Sequence, residues 1–396
     1  MKYIMRNYNW ILLFIIVCCL LSTVIDAEEK KVQKKDLIIE QLDKLDLGRL
    51  QQEVNKINQK SQDMLPDINV KKILFGLARG DLKVGWEQVI RALFIYLREQ
   101  LTLQLDLLGQ IIILAIISAV LKIFQDSFES QTISNAANLL IFLVLAVLLL
   151  NSYKTAISVG VDTINNMVSF MNSLVPVLLT LLVSLGAITS ATIFHPVTYL
   201  IISALTTGIK NIILPMIFIS FVLTVVNNIS DEFNISRLAG LFKEYSLALF
   251  SFALSILFGE MLLQGGFAAV SDSLTLRTAE FLSGKFIPVI GGVFSSALGL
   301  IVNCSLLLKN ALSLVGVLAI IIIIVYPLLK ILAMIMIYKI AAALLQPICD
   351  NKLVNMFNSL GNNLMIVFGI VLAVALMFFI VITIIVGTAN MTVMMR

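Results

Sequence analysis

From residue 107 to residue 396 the chain presents one apolar run after another, and that repetition decides what it can become. A hydrocarbon core of about 30 Å is crossed by about 20 helical residues. Runs of that order occur at 107–124, 138–157, 174–193, 197–226, 246–264, 286–308, 311–332, 333–348 and 363–387. Backbone polar groups in lipid have to be satisfied by the protein itself, and a helix does this within one segment. The sequence therefore predicts an all-α, polytopic helical membrane protein with about seven to nine transmembrane or re-entrant helices. Two runs are irregular. The stretch 197–226 contains Lys210 and Pro215 and reads as one broken helix, and 333–348 is short, carries Lys339 and reads as re-entrant.

Composition excludes a soluble binding module. Hydrophobic residues make up 59% and charged residues 13%, with a mean hydropathy of +1.00, against roughly 45–50% and roughly 25% in soluble domains. The charges are unevenly placed, with 27 of the 52 between residues 28 and 106. A polar head therefore precedes an apolar body. The net charge of +4 is spread out, with no Lys/Arg block beside aromatic residues, so a nucleic-acid partner is not expected.

The first 27 residues carry the signs of export. Lys2 and Arg6 precede the apolar run Trp10–Leu21, and Ile25-Asp26-Ala27 ends in a small residue before Glu28. This predicts a signal peptide over 1–27, with an uncleaved anchor as the alternative. Either way residues 28–106 are expected outside the cytoplasm as a helical region. Past Ala27 the cysteines are Cys304 and Cys349, so the head has no disulfide framework and folds by packing. His195 is the single histidine, and no cluster of metal-ligating residues surrounds it in sequence; no metal or cofactor is expected.

Within the head, Ile38, Leu42 and Leu45, then Leu47, Leu50, Val54 and Ile57, recur at three- and four-residue steps around Gly48, which predicts a helix with a break. Pro66 and the ARGD stretch at 78–81 mark turns. A longer stripe runs through Trp86, Val89, Ile90, Leu93, Phe94, Leu97, Leu101, Leu105 and Leu108, with Glu87, Arg91, Arg98 and Glu99 off it. This amphipathic juxtamembrane helix continues into the first span. It lies either on the bilayer surface or against other helices. The loops are too evenly charged to fix orientation: 122–137 sets Lys122 against Asp126 and Glu129.

Six of the seven prolines lie in the apolar body: Pro176, Pro196, Pro215, Pro288, Pro327 and Pro347. Proline removes a backbone donor and frees a carbonyl, so in lipid such helices are expected to face protein or a cavity. A short echo relates "FHPV" at 194–197 to "FIPV" at 286–289. Each is followed by Ser-Ala-Leu and then Lys-Asn, at 210–211 and 309–310; interrupted repeats of this kind occur in transporters, though ordinary helix breaks also produce them. Lys210, Lys330 and Lys339 are flanked by apolar residues and either snorkel or line a bundle interior. The shorter Glu260 is expected to face a buried partner or pore wall. Glu260, Lys210, Pro196 and Pro288 form the candidate intramembrane polar path.

A second concentration of charge lies between spans, in "DSLTLRTAEFLSGKFIPVIGG" at 272–292, with Asp272, Arg277, Glu280 and Lys285. Arg277 and Glu280 sit three apart on one face of a short helix capped by Asp272 or Ser273. The four ions are the candidate docking loop, with an intramolecular role for the Arg277–Glu280 pair as the alternative. No phosphate-binding loop, nucleophile elbow or paired His-Glu motif occurs, since "GLARGDLKVG" at 76–85 has the wrong spacing. The chain is read as non-enzymatic.

The segments "AVSDSLTLRTAEFLSGKFIPVIGG", "FHPV", "IKNIILP", "LLKNALSLVGV", "IYKIAAALLQPI" and the terminal "TVMMR" resemble the stage III sporulation protein AE family of endospore-forming bacteria. The resemblance runs from the signal peptide to Arg396 and is loosest in the head. It implies a polytopic subunit of a secretion-like channel complex joining mother cell to forespore, needed for forespore development and late forespore gene expression. The implied partners are other membrane proteins of the stage III A operon, including an ATPase and ring-forming subunits, with stage II sporulation protein Q contacted indirectly and membrane lipid around all of them. The implied location is the mother-cell membrane surrounding the forespore. A competing reading, from the residues alone, is a permease-like transporter of small molecules that uses the proline-broken helices and Glu260.

Overall fold

The structure is a computed structural model that describes residues 47–60, 86–127, 131–185, 187–229, 235–260 and 291–394. Among the described residues it is helical throughout. The elements are α1 (Gly48–Lys60), α2 (Trp86–Ser127), α3 (Gln131–Ser184), α4 (Ile188–Gly208), a π-helical turn (Ile209–Ile213), α5 (Leu214–Ile229), α6 (Ser236–Glu260), α7 (Gly291–Leu345) and α8 (Asn351–Met394). Six helical stretches among them are long and apolar enough to cross a membrane. The signal segment, residues 28–46 and the 272–285 ions lie outside the described residues.

Among the described residues several of the candidate runs merge into longer helices. The runs at 311–332 and 333–348, and the described part of 286–308, all belong to α7, a single helix of 55 residues. The run at 333–348 is thus mostly the end of α7 and not a re-entrant hairpin. Likewise 138–157 and the first part of 174–193 share the 54-residue α3. Its polar middle, with Asp162, Asn165 and Asn166, looks like a loop in sequence. It stays helical, and Asn165 within it is met by Lys210.

Helices α3, α7 and α8 form the centre, and the α7–α8 pairing is the most extensive. Two glycines let them approach. A Cβ on Gly160 of α3 would lie 3.3 Å from Val371 and 3.4 Å from Val367 of α8, and one on Gly316 of α7 would lie 2.5 Å from Leu174 of α3. Helix α2 lies along α7 and α3, α4 lies on α3, and α5 lies on α3 and α8. Tyr153 of α3, fully buried, packs against Phe218 and Phe221 of α5 with ring centroids 5.9 and 4.5 Å apart.

The head contributes to this same core. Leu47, Leu50, Val54 and Ile57 bury the face of α1 that their spacing predicts, against α3 and α7. Helix α2 is the expected continuous helix from Trp86 into the first span. It touches α7 there, where Tyr96 meets Tyr326 edge-on with centroids 4.7 Å apart. Its burial is nonetheless thin. Ile111 and Ala115 are buried, while Ile90, Phe94, Leu103, Leu105 and Ile113 are exposed.

Helices α7 and α8 are joined by a tight turn at 346–350. There the Cys349 thiol donates to the Ala115 carbonyl of α2 at 3.6 Å, and burial, reinforced by the Asp350 charge, pushes the thiol pKa up. Thiolate is the reactive form, so iodoacetamide labelling of Cys349 is expected to be slow at pH 7 and to quicken steeply towards pH 10. Mass spectrometry of the peptide carrying it reads the rate. Neutral-pH labelling as fast as that of a free surface cysteine would mean that α2 does not cover this turn.

Candidate functional site

The candidate site is the set of polar interruptions within the apolar bundle, where each proline break or cation meets a specific neighbour. The 197–226 run breaks as its sequence predicts. Pro215 lacks the N–H that would bond the Asn211 carbonyl, and the chain answers with the π turn just before it, in which the Leu214 N–H reaches Ile209 O. Such π insertions are frequent at functional positions. Lys210 sits in this turn, and its Nζ donates to Asn165 Oδ1 of α3 at 2.7 Å.

Lys339 and Lys309 follow the same rule, while Lys330 lines the cavity beside Tyr326. Lys339 of α7 donates to Asn362 Oδ1 of α8 at 2.7 Å and to Asn358 Oδ1 at 3.4 Å. Its stem crosses Gly361, where a Cβ would lie 2.9 Å from Lys339 Cε. Lys309 of α7, fully buried, donates to the Val386 carbonyl of α8 at 2.9 Å. Lys210 and Lys339 do not simply snorkel; neutral amide oxygens on adjacent helices hold them. Reading by sequence missed Lys309 as a buried cation. The signal was present in the Lys-Asn echo: Lys210 and Lys309 both reach an oxygen on a neighbouring helix.

Glu260, at the end of described α6, accepts a hydrogen bond from Thr198 Oγ1 of α4 at 3.3 Å. Thr198 is two residues beyond Pro196 and lines a cavity of about 150 Å3 that also touches Asn172 and Pro176 of α3. Pro176 frees the Asn172 carbonyl, so this break faces a cavity, as expected. Pro327 does the same in a second cavity of about 220 Å3, lined by Tyr96, Tyr326, Pro327 and Lys330 and flanked by Glu53 and Lys56 of α1. The Tyr326 hydroxyl there is buried without a hydrogen-bond partner.

The structure thus brings Glu260 close to the Pro196 segment and sets Lys210 apart from them, on Asn165. Pro288, Asp272, Arg277, Glu280 and Lys285 lie outside the described residues. Among the described residues no group of three or more His, Cys, Asp or Glu side chains converges as a metal site. Chemically the arrangement fixes helix register and lines small cavities with amide, hydroxyl and carboxylate oxygens.

Residues 68–389 match the family model described as stage III sporulation protein AE. The chain is also similar to the stage III sporulation protein AE of Bacillus subtilis (strain 168), at 33% identity over 99% of this chain and 100% of that protein. No solved structure matches.

Proposed function

The chain belongs to the stage III sporulation protein AE family, and from that premise we propose that it is a non-enzymatic, multi-pass membrane subunit of the secretion-like channel complex between mother cell and forespore. In that role it sits in the mother-cell membrane around the forespore with its head exported. It sustains forespore development and late forespore gene expression by holding the other stage III A membrane proteins, including the ATPase and the ring-forming subunits, and through them stage II sporulation protein Q.

The observation that supports this reading is a mismatch of length. The helical stretches that carry two of the spans, Leu139–Ser184 and Cys304–Leu345, contain 46 and 42 residues, about 69 and 63 Å of helix at 1.5 Å per residue. A core of about 30 Å, crossed at a tilt of up to about 40°, covers about 39 Å. About 30 and about 24 Å of these two helices therefore lie beyond the core, where their apolar residues call for protein cover. A subunit built into a larger membrane assembly receives that cover from its neighbours. The permease reading has its own support in the Thr198–Glu260 contact beside the Asn172 cavity.

Reconstitution separates the two. Purified chain alone in liposomes is expected to leave small solutes untransported, while chain taken from sporulating cells brings the other stage III A proteins with it. Transport by the chain alone would overturn the subunit reading. Within it the 272–285 ions are a docking surface, so Arg277→Ala is expected to reduce co-purification of partners while the chain stays inserted and abundant.

A further inference from the structure

Between α5, the start of α6 and the polar first part of α8 lies a cavity of about 260 Å3, lined by Ser220, Thr224, Lys243, Ser236, Asn362 and Asn363 among others. Its position follows from two helical hairpins. Ser220 Oγ of α5 donates to the Ala239 carbonyl of α6 at 2.7 Å, and Lys339 of α7 reaches Asn362 of α8. The end of α5, the start of α6 and the first turns of α8 therefore meet around the cavity. A turn between two apolar helices stands at a membrane surface, and Ser359 and Asn362 of the lining lie about two to three helical turns from the turn at 346–350. The sequence of α8 agrees, since Asn351 to Asn363 is rich in amides and the continuous apolar run starts at Leu364.

The lining has two chemically different parts, one on α8 and one on α6. Asn363 is 5% exposed; its Nδ2 donates to the Ser359 carbonyl at 2.8 Å, while its Oδ1 is buried with no partner. Hydroxyl protons nearby are committed, Ser220 to Ala239 O and Thr224 to Ser220 O. That part therefore offers lone pairs and calls for a donor. Lys243 brings a cation to the α6 part of the lining, about two helical turns on from Ser236, and the amide N–H groups and dipole at the start of this 25-residue helix favour an anion as well. An anionic oxygen and a hydrogen-bond donor joined by a short linker satisfy both parts. The volume is below the roughly 300–1,000 Å3 of sites for drug-sized ligands, the scale of a headgroup and not of a cofactor.

We propose that this cavity seats the headgroup of a phospholipid whose terminal group donates hydrogen bonds, phosphatidylethanolamine or phosphatidylglycerol. Its phosphate lies towards Lys243 and the start of α6, and its ammonium or hydroxyl lies on Asn363 Oδ1. The site is independent of the channel reading and holds for any function of the bundle. Phosphatidylcholine carries the same phosphate but a quaternary ammonium that cannot donate, so discrimination between it and the equally zwitterionic phosphatidylethanolamine isolates the contact to Asn363.

The test uses the full chain in nanodiscs containing equal phosphatidylethanolamine, phosphatidylglycerol and phosphatidylcholine, with the lipid retained after extraction read by mass spectrometry. Wild-type chain is expected to retain the two donor lipids over phosphatidylcholine by about tenfold, the scale of one hydrogen bond to a charged group. Asn363→Leu is expected to lose that preference. Lys243→Gln, at a half-buried position, is expected to weaken retention of all three while keeping the preference. Equal retention by wild-type chain, a preference that survives in Asn363→Leu, or unchanged retention in Lys243→Gln overturns the proposal. Should Asn363→Leu fail to fold, the wild-type ratio and Lys243→Gln still decide. Free phosphoethanolamine or glycerol phosphate raising the melting temperature in lipid-free detergent as far as the lipid does would make the ligand a soluble phosphate ester and overturn the lipid assignment.

Discussion

Lys309→Glu is expected to remove about 3–5 kcal/mol of stability, the cost of leaving a buried charge without its partner, and so to prevent the folded chain from accumulating. Lys309 is fully buried on α7 and donates to the Val386 carbonyl of α8. A carboxylate there would set an acceptor against an acceptor in an apolar interior, with both desolvated. Lys309→Met is the informative contrast. It keeps the aliphatic stem, and the carbonyl it abandons belongs to a helical residue whose ladder bond remains, so a loss of only about 1 kcal/mol is expected. Folded yield on gel filtration and thermal denaturation in detergent read both variants. A glutamate variant that accumulates and melts like the unmodified chain would show that this cation does not sit between α7 and α8.

The same lysine shows where sequence reading ends. The all-α membrane class follows from run length, and the buried face of α1 follows from the spacing of Leu47, Leu50, Val54 and Ile57. The break before Pro215 was legible too, because the missing N–H of a proline is a local property. The continuity of α3 and α7 was not. A search for runs of about 20 apolar residues divides a helix at any polar stretch, and Asp162, Asn165 and Asn166, or Lys309 and Asn310, look like connections. Whether they are depends on oxygens and cations far away in the chain. Asn165 is met by Lys210, and Lys309 by a carbonyl 77 residues distant. Glu260 was legible as an intramembrane acid needing a partner, but its partner Thr198 was not, since nothing local to either residue names the other. Asn363 lay at the very edge of a span by hydropathy, and only the packing of α5 and α6 around it shows an amide oxygen left without a donor.

Among the described glycines Gly316 is the most tightly enclosed. A Cβ placed on it would meet Leu174 Cδ2 at 2.5 Å and Ile382 Cδ1 at 3.2 Å, and both neighbours are buried, Leu174 completely and Ile382 at 1% exposure. The glycine therefore sits where α3, α7 and α8 pack tightly together, and both contacting tips lie in the buried core. Gly316→Ala is expected to cost about 1–3 kcal/mol by overpacking. Gly316→Leu cannot be seated without parting the helices and is expected to cost more than that, up to loss of the folded chain. A pair of substitutions makes the geometry testable. Leu174→Ala alone opens a cavity and is expected to cost about 2–5 kcal/mol. With Gly316→Ala, the new methyl enters the space that the leucine leaves. The double variant is therefore expected to be less destabilised than the sum of the two single variants by at least about 0.5 kcal/mol, the lower edge of coupling between touching residues. Melting of the four proteins in one detergent closes the cycle; strictly additive losses would mean that Gly316 does not face Leu174, and the close approach of α3 to α7 would have to be abandoned.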